Sequence, residues 1–346
     1  MKPKSKYRAI GRALPRVEAL DKVAGKTRYA ADLTLPGMLW AKFLRSPHAH
    51  ARIRSIDASG AKRLAGVHAV LTGEDLPPLL IGKRIKDIPI LARERARYAG
   101  EPVAAVAAET PEIAAEALTL IDVDYEILPS VTDPLKAIEP GAPRIHGDPA
   151  AYRNAETPPI ELPNLQSVKI WQRGDLGAAF RGAERVFEHT FATQLTHHGY
   201  IEPHACVVSV TREGEVEIWA SNKSPFALRD ELAEDLGIPA ERINVHILSV
   251  GGDFGGKASL IDVPICYFLS QRSGRPVKSV LDYTEELTAS SHRHPSVITL
   301  RTGVRRDGTL SAMEARVVFD GGAYAGLKHA VGGGLGGPRF AGGSYR

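Results

Sequence analysis

The heptapeptide Gly251-Gly252-Asp253-Phe254-Gly255-Gly256-Lys257 constrains the fold of this chain more than any other stretch. Such glycine density belongs to neither helix nor strand, because glycine loses the most conformational entropy on folding and offers no side chain to pack. Residues 243–250 before it read as a strand, and an apolar, helix-like stretch runs after it to Gln271. A strand entering a glycine loop and then a helix lets backbone N–H groups approach a ligand, and an anion at the start of that helix would be stabilised. Phe254 argues against a bare turn, which has no use for a large ring among glycines. The phosphate-loop pattern is met at Gly251, Gly256 and Lys257, but Ala258 stands where a Mg²⁺-ligating hydroxyl is needed. Asp282, after the strand-like residues 277–281, could serve as an ATPase carboxylate, so nucleotide binding stays as an alternative.

A second feature divides the chain. Prolines at 129, 134, 140, 143, 149, 158, 159 and 163 crowd a segment with few periodic apolar positions, as in a surface connection. Before it, Thr110 can cap and Pro111 open a helix with Ile113, Ala114, Ala117, Leu118 and Ile121 at helical period. Residues 103–107 and the alternation Ile121, Val123, Tyr125 read as flanking strands. This predicts an α+β fold: an N-terminal extension over 1–20, a domain with its own core over 21–130, a linker over 131–164, and a second α+β domain over 165–346. The second begins with hairpin-type strands at 186–193, 206–210 and 215–220, the last two turning at Arg212-Glu213-Gly214. A helix follows from Ser224-Pro225, with Leu228, Leu232 and Leu236 on one face and Gly237 as its stop. Ten glycines between 321 and 343 predict a loop that closes on something, and the ending at Tyr345-Arg346 reads as a domain cut short.

Composition closes several other routes. The net charge of +4 is spread along the chain and only 6% of residues are aromatic, which argues against a nucleic-acid partner. Cys206 and Cys266 sit among apolar neighbours without metal or redox spacing, so they read as small core residues and the chain carries no iron-sulfur cluster of its own. No signal peptide or membrane span is readable, and a cytoplasmic location is expected. His197, His198 and His204 with Glu202 lack zinc-protease spacing, and the His-x-His pairs 48/50 and 292/294 read as hydrogen-bonded loop histidines, so no metal ligand is assigned.

The loop 251–257 resembles the glycine signature of the xanthine dehydrogenase/aldehyde oxidase family, and it has company. Residues 21–32, Arg45-Ser46-Pro47-His48-Ala49-His50-Ala51, 97–104 and 123–129 are similar to the opening of that family's large subunit, including its α/β hammerhead domain. His198 to Ala205, with Glu202-Pro203-His204, and Arg293-His294-Pro295 resemble later family stretches. The resemblance implies the first part of a molybdopterin-binding domain. It further implies a molybdenum-molybdopterin cofactor, 2Fe-2S clusters and FAD on neighbouring subunits, and hydroxylation of a small-molecule substrate with oxygen from water. Gly251, Gly252, Asp253, Phe254, Gly255 and Gly256 become cofactor-binding candidates, with Phe254 and Gly255 beside the molybdenum. Lys223 stands where the family usually has a glutamine that hydrogen-bonds a molybdenum oxygen, and its charge is expected to alter the metal's potential. Asp253 replaces the family's third glycine, and Ala258 replaces the glutamate of purine oxidisers, so xanthine is not expected as substrate. The family's catalytic glutamate lies beyond residue 346, so no catalytic residue is expected here. The implied partners are the C-terminal half of the large subunit, an iron-sulfur subunit and an FAD subunit. Aldehydes, N-heterocycles and aryl-CoA thioesters stay open as substrates, and a non-catalytic assembly module is the alternative.

Overall fold

The computed structural model describes residues 7, 9–83, 85–155 and 160–326. Its strands are β1 (Leu39–Arg45), β2 (Ala51–Asp57), β3 (Val67–Thr72), β4 (Leu80–Ile81), β5 (Ile88–Pro89), β6 (Arg95–Ala96), β7 (Pro102–Ala108) and β8 (Asp122–Ile127) in the first stretch. In the second they are β9 (Arg185–Thr193), β10 (Ala205–Val210), β11 (Val216–Ala220), β12 (Ile243–His246), β13 (Val277–Val280), β14 (Ser296–Val304) and β15 (Leu310–Phe319).

The largest sheet crosses the proline-rich boundary, in the order β12-β11-β10-β13-β1-β7-β3. The seam is the parallel pairing of β1 with β13, where Leu39 faces Val277 and Trp40 faces Lys278. Lys278 is buried there, its ammonium 4.6 Å from the centre of the Trp40 ring and 3.0 Å from the Leu33 carbonyl that it donates to. The helix Val263–Ser273 covers the sheet from strands of both stretches, so Phe43 and Leu71 share a core with Val208, Ile218 and Leu269. On this face of the sheet the first stretch thus shares its core with the second. A separate cluster exists, built from Ala58, Ala61, Val70, Ala114, Ala117 and Ile121, but it lies on the other face of the shared sheet.

β7 shows why. Its residues 103–108 are all buried, and with a period of two Ala105 and Ala107 face the shared core while Ala104, Val106 and Ala108 face the helix Pro111–Thr119. That helix starts as expected, with the Thr110 hydroxyl accepting from the Ile113 N–H at 3.2 Å. The small sheet β6-β2-β8 flanks it.

The third sheet, β15-β14-β9, departs from the hairpin reading: β9 pairs along its whole length with β14, Thr193 opposite Ser296 and Arg185 opposite Val304. Local patterning identified β9 as a strand but carries no information on so distant a partner. The helix Pro225–Leu236 ends as predicted, with Gly237 left-handed at φ +67°. The Pro-rich segment is pinned by Asn164, whose side chain donates to the carbonyls of Ala137 and Pro143 and accepts from the Ile145 N–H, all within 3.0 Å. Of the glycine-rich tail, the segment to Gly326 docks on the first stretch: the Tyr324 hydroxyl donates to Glu101, and the Ala325 and Gly326 N–H groups donate to Asp87. Its remaining glycines, from 332 onward, lie outside the described residues.

Candidate functional site

The glycine loop does not open a helix. β12 stops at His246, and the next helix begins only at Val263, its first turn buried in the shared core. The expected anion site at a helix N-terminus is therefore absent from this loop, because residues 258–262 separate the two. The nucleotide reading fails for a related reason. Lys257 is fully buried and its ammonium donates to Glu202 at 2.6 Å, 4.7 Å from the Tyr200 ring centre, so it is not free to reach a phosphate. Asp282 is the N-cap of the helix Tyr283–Ala289, its carboxylate accepting from the Glu285 N–H.

The loop is built on residues 200–204. Glu202 also accepts from the Gly251 N–H at 2.6 Å. A Cβ on Gly251 would lie 2.6 Å from Glu202 Cβ, one on Gly252 2.9 Å from Tyr200 Cβ, and one on Gly256 2.7 Å from Tyr200 Cε1. These three glycines are required by packing against the protein itself. Gly255 differs: its φ is +101°, but the nearest atoms to an added Cβ are His198 Nε2 at 3.6 Å and Arg293 Nη2 at 3.7 Å, an ordinary contact. Beside it Phe254 has φ +47° and is 64% exposed, with its carbonyl accepting from Arg293 at 2.7 Å. The loop thus lifts one ring and one bare backbone unit off a packed base.

Asp253 organises the tip. Its carboxylate accepts from the Lys257 N–H at 2.7 Å, the Gly255 N–H at 2.9 Å and the Lys223 ammonium at 2.8 Å. Burial works against its ionisation, but Lys223 and the two amides outweigh that and hold the carboxyl below the usual aspartate range. The lysine expected to add a charge to the site thus has that charge balanced within the loop. Lys223 is positioned in turn by its own N–H, which donates to the Lys257 carbonyl at 3.0 Å.

Beneath lies a network that sequence reasoning did not find. Glu286, fully buried on the helix Tyr283–Ala289, accepts from the Tyr200 hydroxyl at 2.9 Å, the His204 N–H and His204 Nδ1 at 2.8 Å. Nothing in the local sequence sets Glu286 apart from its exposed neighbours. Burial would raise its pKa, yet the hydrogen bonds and charge of His204, with the Tyr200 hydroxyl, bring it down to about 2. A depressed folded-state pKa stabilises the fold in full above the ordinary glutamate value, and the contribution disappears as pH falls through the folded value. Glu286→Gln should accordingly cost about 3 kcal/mol near neutral pH. Thermal unfolding across pH should show wild type losing its advantage between 4.5 and about 2; a gap independent of pH would rule out the ionised carboxylate as the cause.

Cys206 and Cys266 are buried, with their sulfurs brought to 3.8 Å across the strand–helix interface despite 60 residues of separation. Among the described residues no group of three His, Cys, Asp or Glu side chains could hold a metal ion, and no helix is long and apolar enough to cross a membrane.

Two families of known proteins match. Residues 24–129 match the aldehyde oxidase and xanthine dehydrogenase a/b hammerhead domain, and residues 161–345 match the molybdopterin cofactor-binding domain. The chain belongs to the xanthine dehydrogenase family of molybdopterin-binding large subunits. Over 326 residues this xanthine dehydrogenase-family chain is 36% identical to the nicotinate dehydrogenase large molybdopterin subunit of Eubacterium barkeri, covering 94% of itself and 73% of that protein. It is 35% identical to the carbon monoxide dehydrogenase large chain of Afipia carboxidovorans over 92% of its own length, but spans only 40% of that relative. Quinoline 2-oxidoreductase from Pseudomonas putida 86 superposes with a TM-score of 0.83 at 32% identity, over 92% of this chain and 40% of that one.

Proposed function

We propose that this chain supplies the Phe254–Gly255 side of a molybdenum hydroxylase site that oxidises a carbon of an aldehyde, N-heterocycle or aryl-CoA thioester. The observation that carries the reading is the loop tip, an exposed ring and an unobstructed glycine backbone held on an ion-paired, buried base with Lys223 alongside. Such a tip fits a flat, polar cofactor: Gly255 lets it come close without a Cβ in the path, and Phe254 keeps water from one flank. When bound, the molybdenum cofactor supplies two-electron oxidation of the substrate carbon with water as the oxygen source. Phe254, Gly255 and Lys223 would hold and orient it, while Gly251, Gly252, Asp253 and Gly256 keep that tip in position.

Among substrates we favour an N-heterocycle. Two of the compared proteins carry nicotinate and quinoline in their names, and Ala258 offers no carboxylate for a purine. Ala258 is buried besides, its carbonyl accepting from Lys83. We further propose that an iron-sulfur subunit, an FAD subunit and the remaining half of the molybdopterin site are the partners, in the cytoplasm.

Metal analysis tests the shared site. The chain purified alone should hold far less than one molybdenum per chain, whereas the assembled complex should approach one. Stoichiometric molybdenum in the chain alone would overturn the shared site, and a molybdenum-free complex would favour the assembly-module reading.

A further inference from the structure

Lys223 lies just before the helix Pro225–Leu236 and Asp253 on the glycine loop, 30 residues apart, yet their side chains meet at 2.8 Å beside the loop tip. The pair is partly exposed, Lys223 by 40% and Asp253 by 22%. Mutual attraction in such a position contributes little to stability, about 1 kcal/mol at most. The geometry is nonetheless specific. One carboxylate oxygen bridges the ammonium and the Gly255 N–H, and the other takes the Lys257 N–H, so Asp253 ties the cation to the backbone of the exposed tip. Among the described residues Asp253 is the acceptor of the Lys223 ammonium, which carries three N–H donors and so keeps two for a ligand.

We propose that Lys223 and Asp253 form a charge-matched positioning pair, in which Asp253 aims the ammonium toward the molybdenum cofactor and cancels its charge, so that the pair presents extra hydrogen-bond donors without adding net charge to a tip that already holds the Arg293 guanidinium. The inference rests on the cofactor reading above and extends it to two side chains. A lone lysine beside a redox centre would favour the reduced, more electron-rich state, and a lone aspartate would oppose it; together they add little to the field that Arg293 already sets at the tip. The pair therefore controls the ease of reduction, and hence which substrate carbons can be oxidised, through its balance rather than through either residue.

The test is a cycle in the assembled complex: Lys223→Gln, Asp253→Gly and the double variant, with Asp253→Asn as a version that loses the charge while keeping an acceptor for one of the two loop amides. Three quantities are read: molybdenum content, the midpoint potential of the molybdenum centre from its Mo(V) signal, and thermal unfolding. Lys223→Gln should lower the potential, Asp253→Gly and Asp253→Asn should raise it, and the double variant should return close to wild type. Unfolding temperatures should be non-additive, the double variant losing less than the sum of the singles. Shifts of the same sign, or a double variant whose potential stays displaced from wild type, would overturn the matched pair while leaving the cofactor reading intact. Wild-type complex without molybdenum would overturn the cofactor reading and the inference together. If Asp253→Gly disturbs the loop, Asp253→Asn decides in its place, because it removes the charge and keeps one loop acceptor: a potential that falls or stays at the wild-type value would overturn the pair.

Discussion

Gly255→Ala should cost the assembled enzyme at least about a hundredfold in turnover while lowering stability by only ~1 kcal/mol, whereas Gly256→Ala should act chiefly on the fold. The two glycines are adjacent and chemically identical, so the contrast comes from their surroundings. An alanine at 255 meets ordinary contacts at 3.6 and 3.7 Å, and its internal cost is the strain of φ +101°. What its methyl group obstructs is the open side of the tip, where a displacement of about 1 Å at a reacting centre costs on the order of a hundredfold. At 256 the methyl group would lie 2.7 Å from the Tyr200 ring and 3.0 Å from the His198 ring, inside a packed layer whose Tyr200 is tied to Glu286. Overpacking of that kind costs about 1–3 kcal/mol, and activity should fall in proportion to folded protein. Turnover and thermal unfolding on the same preparations separate the two. If Gly255→Ala lost stability and activity together as Gly256→Ala does, the loop would be a structural turn and its cofactor role would be wrong.

The largest stability effect is expected at Lys257. Its ammonium is 0% exposed and bonded to Glu202, which is itself only 9% exposed on its side chain. Lys257→Met removes one partner and leaves a carboxylate buried without a counter-charge, a change that costs about 3–5 kcal/mol, whereas replacing both partners of a buried pair is often nearly neutral. Chemical denaturation should show Lys257→Met strongly destabilised and Lys257→Met/Glu202→Gln recovering most of the loss. The Gly251 N–H, which donates to Glu202 in the native chain, keeps an acceptor in the double variant, because the new side-chain amide still offers its carbonyl oxygen. An unaltered midpoint in Lys257→Met would mean that the lysine faces solvent or a ligand, and would bring back the phosphate-loop reading that the buried ion pair excludes.

The residues that local pattern can specify were legible. The helix Pro111–Thr119 announces itself by Thr110, Pro111 and its apolar period, β7 by an unbroken run of small apolar residues, and the helix Pro225–Leu236 by Leu228, Leu232 and Gly237. Each depends on interactions within a turn or two of chain, which composition and spacing control directly. The glycine loop was equally visible, because four glycines and one exposed phenylalanine exclude every regular element. Resemblance then named the cofactor that such a loop could serve.

Tertiary structure decided what depends on partners far apart in the chain. The pairing of β1 with β13 merges two apparent domains into one sheet, and no local pattern encodes that neighbour. Glu286 looks like any helical surface glutamate until packing buries it between Tyr200 and His204, 86 and 82 residues away. Among the loop glycines, only the contact with Tyr200 and Glu202 separates the three that the fold requires from Gly255, which it leaves open. The meaning of Lys223 changed most: alone in the sequence it reads as an added positive charge, and in the fold it is half of a neutral pair with Asp253, because the sign of a local field is set by whichever charges packing brings within a few ångströms.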